Sequence, residues 1–148
     1  VDLGSVLNKA LGEAQRRGRK LNAPTLSEPL LVQADARHVE QIARALVTDA
    51  VALDPQAPAR LNATAEDGRV VVELVLSTSR VAPDELRNLL DPFGSDDASR
   101  PLDEGRLRLA VARGVAEANG GHLRFHTNNP NEVAFVLDLQ AAPAPVAS

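Results

Sequence analysis

The chain has no cysteine, methionine, tryptophan or tyrosine, and its aromatic side chains are Phe93, Phe125 and Phe135 alone. Without cysteine there can be no disulfide scaffold, no thiolate metal site and no cysteine nucleophile. With so few aromatic rings, stacking on bases or sugars is not the trade of this surface. No apolar run approaches the roughly 18 residues that a membrane helix needs, and no signal-peptide pattern is visible. The net charge of −4 argues against a phosphate-backbone binder, so neither nucleic acid nor direct membrane contact is expected. The missing methionine makes Val1 an unlikely natural start, and the expectation is a chain cut from something longer.

What is present fits one ordinary globular domain: 148 residues, 44% hydrophobic and 24% charged. Leu3, Val6, Leu7, Ala10, Leu11 and Ala14 recur at helical spacing behind Asp2, which can cap them. Residues 21–34 read as short β segments broken by Pro24 and Pro29. Asp35 opens a helix whose stripe is Val39, Ile42, Ala43, Leu46, Val47, Ala50 and Leu53, with Pro55 to stop it. Strands at 59–65 and 69–77 flank Glu66-Asp67-Gly68, a hairpin signal. A short helix opens at Pro83 and ends near Asp91, and 94–103 read as a flexible loop. Leu107, Leu109, Ala110, Val111, Val115 and Ala118 predict a further helix, closed by Asn119-Gly120-Gly121. Strands at 122–127 and 132–139 follow, joined by an Asn-Asn-Pro-Asn turn.

Strand pairs joined directly imply an α/β two-layer sandwich. Its mixed, largely antiparallel sheet has about five strands, covered on one face by about three helices. Residues 1–140 form the domain, and the Ala/Pro-rich tail 141–148 is expected to be disordered.

In this order of elements the chain resembles the ATP-binding domain of bacterial sensor histidine kinases, the Bergerat (GHKL) ATPase fold. The resemblance runs from Val1-Asp2-Leu3 to Leu137-Asp138-Leu139 and rests on four anchors in order. They are Asp35-Ala36-Arg37-His38-Val39-Glu40-Gln41-Ile42, Val81-Ala82-Pro83-Asp84-Glu85-Leu86, Leu90-Asp91-Pro92-Phe93, and Leu107 to Arg113 continuing through Glu117 to Gly121.

The resemblance implies where a nucleotide would be held, and there this chain departs from the family pattern. The two asparagines that would face phosphates and Mg²⁺ read Ala45 and Asp49. Asp49 can hold Mg²⁺ through oxygen, but it adds negative charge beside a triphosphate. The first glycine box reads Leu76-Ser77-Thr78-Ser79-Arg80. Leu76 cannot accept the adenine amino group, and Thr78 and Arg80 stand where glycines would let the base approach. The second box reads Glu104-Gly105-Arg106-Leu107-Arg108-Leu109; its leucines, expected in the core, remain, and its glycines are replaced. The resemblance thus implies a kinase-like domain with no catalytic residues, no metal and no cofactor of its own. In the alternative, Mg-ATP is retained, Asp49 holds the metal, Arg106 and Arg108 bind phosphate, and a histidine on an upstream hairpin is phosphorylated.

The leading expectation is a pseudokinase: a regulatory or interaction module of a two-component phosphorelay, or part of a histidine phosphotransferase. Its expected partner is a helical hairpin or a receiver domain, met through Arg100, Arg106, Arg108 and Arg113. The resemblance implies a cytoplasmic placement, compatible with a membrane-tethered whole protein, with a monomeric fragment and a dimeric whole. A third reading makes the pocket a small-ligand sensor, with Leu76 rendering it more apolar. His38, His122 and His126 read as ordinary histidines. The last two share a strand face by period two, with no carboxylate or cysteine near in sequence to complete a metal site. Ser77, Ser79 and Ser95 lie in no nucleophile-elbow context.

Overall fold

The fold is seen in a computed structural model, which describes residues 1–18, 21–22, 30–54, 56–79 and 104–142. The expected helix from Pro83 and the loop 94–103 lie outside the described residues.

Helix α1 (Leu3–Arg16) starts at Asp2, whose carboxylate accepts from the Ser5 N–H at 3.3 Å and the Leu30 N–H at 3.1 Å. One acidic side chain thus caps a helix and pins the returning chain. After β1 (Leu21–Asn22), helix α2 (Ala36–Arg44) opens at Asp35, which accepts from the Arg37 N–H at 2.8 Å. The single helix expected up to Pro55 is a composite. It widens into a π turn at Ala45–Ala50 and tightens into a 3-10 turn at Val51–Leu53. Its apolar side stays buried across the change, through Val39, Ile42, Ala43, Leu46, Val47 and Ala50. Burial of that stripe, not α-helical regularity, sets the course of this segment.

Strands β2 (Ala59–Glu66) and β3 (Arg69–Leu76) form the expected hairpin. Asp67 and Gly68 both have positive φ, 52° and 76°, the turn geometry whose twist matches paired strands. Helix α3 (Glu104–Ala118) leads through Gly120, at φ 77°, into β4 (His122–Asn129) and β5 (Glu132–Gln140). The sheet order is β1-β2-β3-β5-β4, with β1 parallel to β2 and the other pairs antiparallel. Pairing runs past the expected domain end at 140. Ala141 donates to the Gly68 carbonyl and Ala142 to the Leu31 carbonyl, each at 2.9 Å, so these two residues belong to the fold and not to a tail. The rest of the tail, 143–148, is outside the described residues.

Alternation along the strands puts Val70, Val72, Leu74 and Leu76 of β3 on one face with Val133, Phe135, Leu137 and Leu139 of β5. Leu3, Leu7, Ile42, Leu46 and Leu109 belong to the same buried cluster. In α3 the buried line is Leu109, Ala112 and Ala116. Leu107 and Val111, expected in the stripe, are each 43% exposed. Leu107 and Leu109 are two residues apart, about 200° around a helix, so one core face cannot take both. Asn119 ties α3 to the start of α2. It donates to the Val115 carbonyl at 2.8 Å and to His38 Nδ1 at 3.0 Å, and its Oδ1 accepts from the Asp35 N–H at 3.2 Å.

Candidate functional site

One side of the helical layer carries a cleft of about 800 Å³. It lies among α1 (Glu13, Ala14) and its C-cap Arg17, α2 (Arg37, Glu40, Gln41, Arg44), the π turn (Ala45, Thr48, Asp49) and Arg108 of α3. Gln41, Arg44, Ala45, Thr48 and Asp49 come from successive turns of one helical face, so a single face supplies half of the wall.

Ala45 is buried against the cleft and offers it only a methyl group. Asp49 is 6% exposed, and both of its carboxylate oxygens are engaged by Arg108. Arg108 Nε lies 3.1 Å from Oδ1 and 3.0 Å from Oδ2, and Nη2 lies 2.9 Å from Oδ1. This is the forked geometry that makes arginine–carboxylate pairs directional as well as attractive. The Arg108 side chain is 58% exposed and lines the cleft.

At the end of β3, Leu76 is fully buried in the core and does not line the cleft. The expectation that Leu76 makes a pocket more apolar is therefore corrected: the cleft wall is charged, with Ala14 and Ala45 as its apolar members. Thr78 is also buried, and its hydroxyl donates to Asp54 Oδ2 at 2.6 Å. Asp54 Oδ1 in turn accepts from the Gln56 N–H at 3.2 Å. Sequence reading passed over Asp54. Its signal was the Asp-Pro step at the helix end, where an aspartate turns back on its own backbone.

Of the four arginines expected to meet a partner, Arg108 faces Asp49 and Arg113 faces Glu117, four residues on along α3, at 3.3 Å. Five residues of helix separate the two by about 140°, so they do not share a face. Arg80 and Arg100 lie outside the described residues, as do the side chains of Glu104 and Arg106. The arginines that do share the cleft with Arg108 are Arg17, Arg37 and Arg44. They come from two elements: Arg17 caps the end of α1, and Arg37 and Arg44 stand seven residues, about two helical turns, apart on α2.

The histidines fall elsewhere. His38 Nδ1 accepts from the Asn119 amide, and His122 and His126 are exposed on β4. His122 Nδ1 does have a carboxylate at 3.3 Å, Asp138, which the strand register brings across from β5. Arg69 shares that carboxylate at 3.5 Å, and no metal-holding group of three side chains occurs among the described residues. Asp35 has its carboxyl held below the ordinary 3.8, chiefly by the hydrogen bond from the Arg37 N–H.

No protein-family model matches the chain. Sensor histidine kinase MtrB of Mycobacterium tuberculosis is 30% identical over 122 residues, 80% of this chain and 22% of its own length. Sensor protein CutS of Streptomyces coelicolor is 33% identical over 129 residues, 83% of this chain and 31% of its own. Among solved structures, the mycobacterial sensor histidine kinase MprB superposes with a TM-score of 0.76 at 19% identity, covering 97% of this chain and 99% of that one. The histidine kinase domain of the E. coli osmosensor EnvZ gives 0.72 at 16% identity, covering 100% and 91%. The chain is a histidine kinase catalytic-type domain of bacterial sensor kinases. The kinase-type domain has the α/β sandwich of that group, and it spans less than a third of the length of these two sequence relatives. No helix among its described residues is long and apolar enough to cross a membrane.

Proposed function

We propose that this domain serves a two-component signalling protein as a regulatory or interaction module and does not hold Mg-ATP. The observation that carries the reading is the forked Arg108–Asp49 pair. Asp49 stands where the family resemblance calls for the Mg²⁺-facing side chain, and both of its oxygens are turned to a guanidinium. Mg²⁺ needs an octahedral shell of oxygen donors at about 2.1 Å. To enter, it would have to break a charge-assisted bidentate pair, while the neighbouring Ala45 supplies no donor in return. Leu76 adds to the case. It is sealed in the core and offers no acceptor to an adenine amino group, and Thr78 is tied to Asp54.

On this reading the domain's contribution is what its surface meets. A helical-hairpin dimerisation or phosphotransfer domain, or a response-regulator receiver domain, is the proposed partner. Titration with a fluorescent ATP analogue, with and without Mg²⁺, tests the reading. The expected result is no Mg²⁺-dependent saturable binding in the micromolar range. Micromolar, Mg²⁺-dependent binding that Asp49→Ala abolishes would establish the alternative, a working kinase domain.

A further inference from the structure

The cleft keeps more cationic than anionic capacity after its internal pairs are counted. Arg44 is matched by Glu40 at 3.0 Å on the same helix, and Asp49 is matched by Arg108. Arg17 from the end of α1 and Arg37 from the first turn of α2 line the cleft, and neither has an ion-pair partner among the described residues. The remaining carboxylate on the wall is Glu13, which has no ion-pair partner among the described residues either, even though Arg17 is four residues further along α1. The volume, about 800 Å³, is that of a small-molecule site and not of a flat docking face. The wall offers guanidinium forks, the Thr48 hydroxyl and the Gln41 amide, and none of its lining residues is aromatic.

From this lining we infer that the cleft binds a small, multiply charged oxyanion without a divalent metal. Arg17 and Arg37 supply the forked contacts, and the ligand needs no nucleobase. The inference rests on the reading that Mg-nucleotide is not the ligand. The Asp49 carboxylate would repel a bare polyanion, and Arg108 is placed to screen it, as a metal ion would at a site that used one. Arginine suits the task because its planar fork matches carboxylate and phosphoryl oxygens alike. The chemistry is therefore shared by polycarboxylates and polyphosphates.

The test uses the whole chain in EDTA, titrated calorimetrically with inorganic tripolyphosphate in one arm and citrate in the other. Saturable binding in EDTA in either arm, weakened by added salt and not strengthened when Mg²⁺ replaces EDTA, supports the inference, and the arm that binds gives the oxyanion type. The doubly substituted R17Q/R37Q chain should bind about tenfold or more weakly, the cost of two charge-assisted contacts. Arg124→Gln, exposed on β4 and not part of the cleft, should bind as the unaltered chain does. No binding in either arm overturns the inference, as does equal binding by R17Q/R37Q or binding that requires Mg²⁺. If neither anion binds and the ATP analogue also fails, the inference alone has fallen. If the analogue binds with Mg²⁺ and loses binding in Asp49→Ala, the proposed function has fallen first.

Discussion

Gly121 shows how one residue couples two elements. A Cβ built there would run into the Asp138 carbonyl oxygen and press on the Leu139 side chain, so β5 passes the start of β4 at a distance only glycine allows. Backbone cannot move aside cheaply, and Gly121→Ala should lower stability by about 1–3 kcal/mol, read from the denaturant midpoint. Thr78 makes a complementary case. Its hydroxyl donates to a buried carboxylate at 2.6 Å, in the range of charge-assisted bonds. Thr78→Val keeps the shape and removes the donor, and it should cost about 1.5–3 kcal/mol in the same assay. A Thr78→Val chain as stable as its parent would mean that the Asp54 contact contributes nothing.

At the scale of elements, the start of α2 is set by a single carboxylate. Asp35 accepts the Arg37 N–H, and this bond holds its carboxyl below 3.8. A carboxyl depressed in the folded chain adds stability that is present above its unfolded value and disappears as pH falls through the lower, folded value. Thermal unfolding at about pH 6 and at about pH 3 should therefore show a larger acid-side loss for the parent than for Asp35→Asn, whose amide still accepts but does not titrate. Equal losses would remove Asp35 from the acid response. Caps, the Asp-Gly hairpin and the strand alternation were legible in the sequence because each depends on neighbours two to four residues away. The π turn was not. A period-3.6 stripe from Val39 to Leu53 looks the same whether the helix is uniform or widened at Ala45–Ala50, because burial of the stripe survives both. The stripe of α3 was misread for a related reason. Leu107 and Val111 are apolar but lie off the line of Leu109, Ala112 and Ala116, whose small alanines let the helix sit close to its neighbours.

At the scale of the molecule, the fold rests on apolar periodicity and any function on a few polar positions. These two sets of residues are separable. Val70 to Leu76 and Val133 to Leu139 build the sandwich that the sensor kinases share, and they would do so with or without a nucleotide. The cleft is another matter. Arg108 meets Asp49 across 59 residues of sequence, and Arg17 and Arg37 reach the same space from two other elements. No local pattern encodes that convergence, which is why Asp49 and Arg108 could be named from the sequence while their pairing, and the approach of Arg17 and Arg37, could not. The central claim is that Asp49 belongs to Arg108 and not to a metal. The Arg108 Nε–H resonance, followed by NMR while Mg²⁺ and then Mg-ATP are added, tests it most directly. The account predicts a resonance that stays in place through both additions, because Nε remains bonded to the Asp49 carboxylate. A saturable shift of that resonance on adding Mg-ATP, absent in Asp49→Ala, would contradict it.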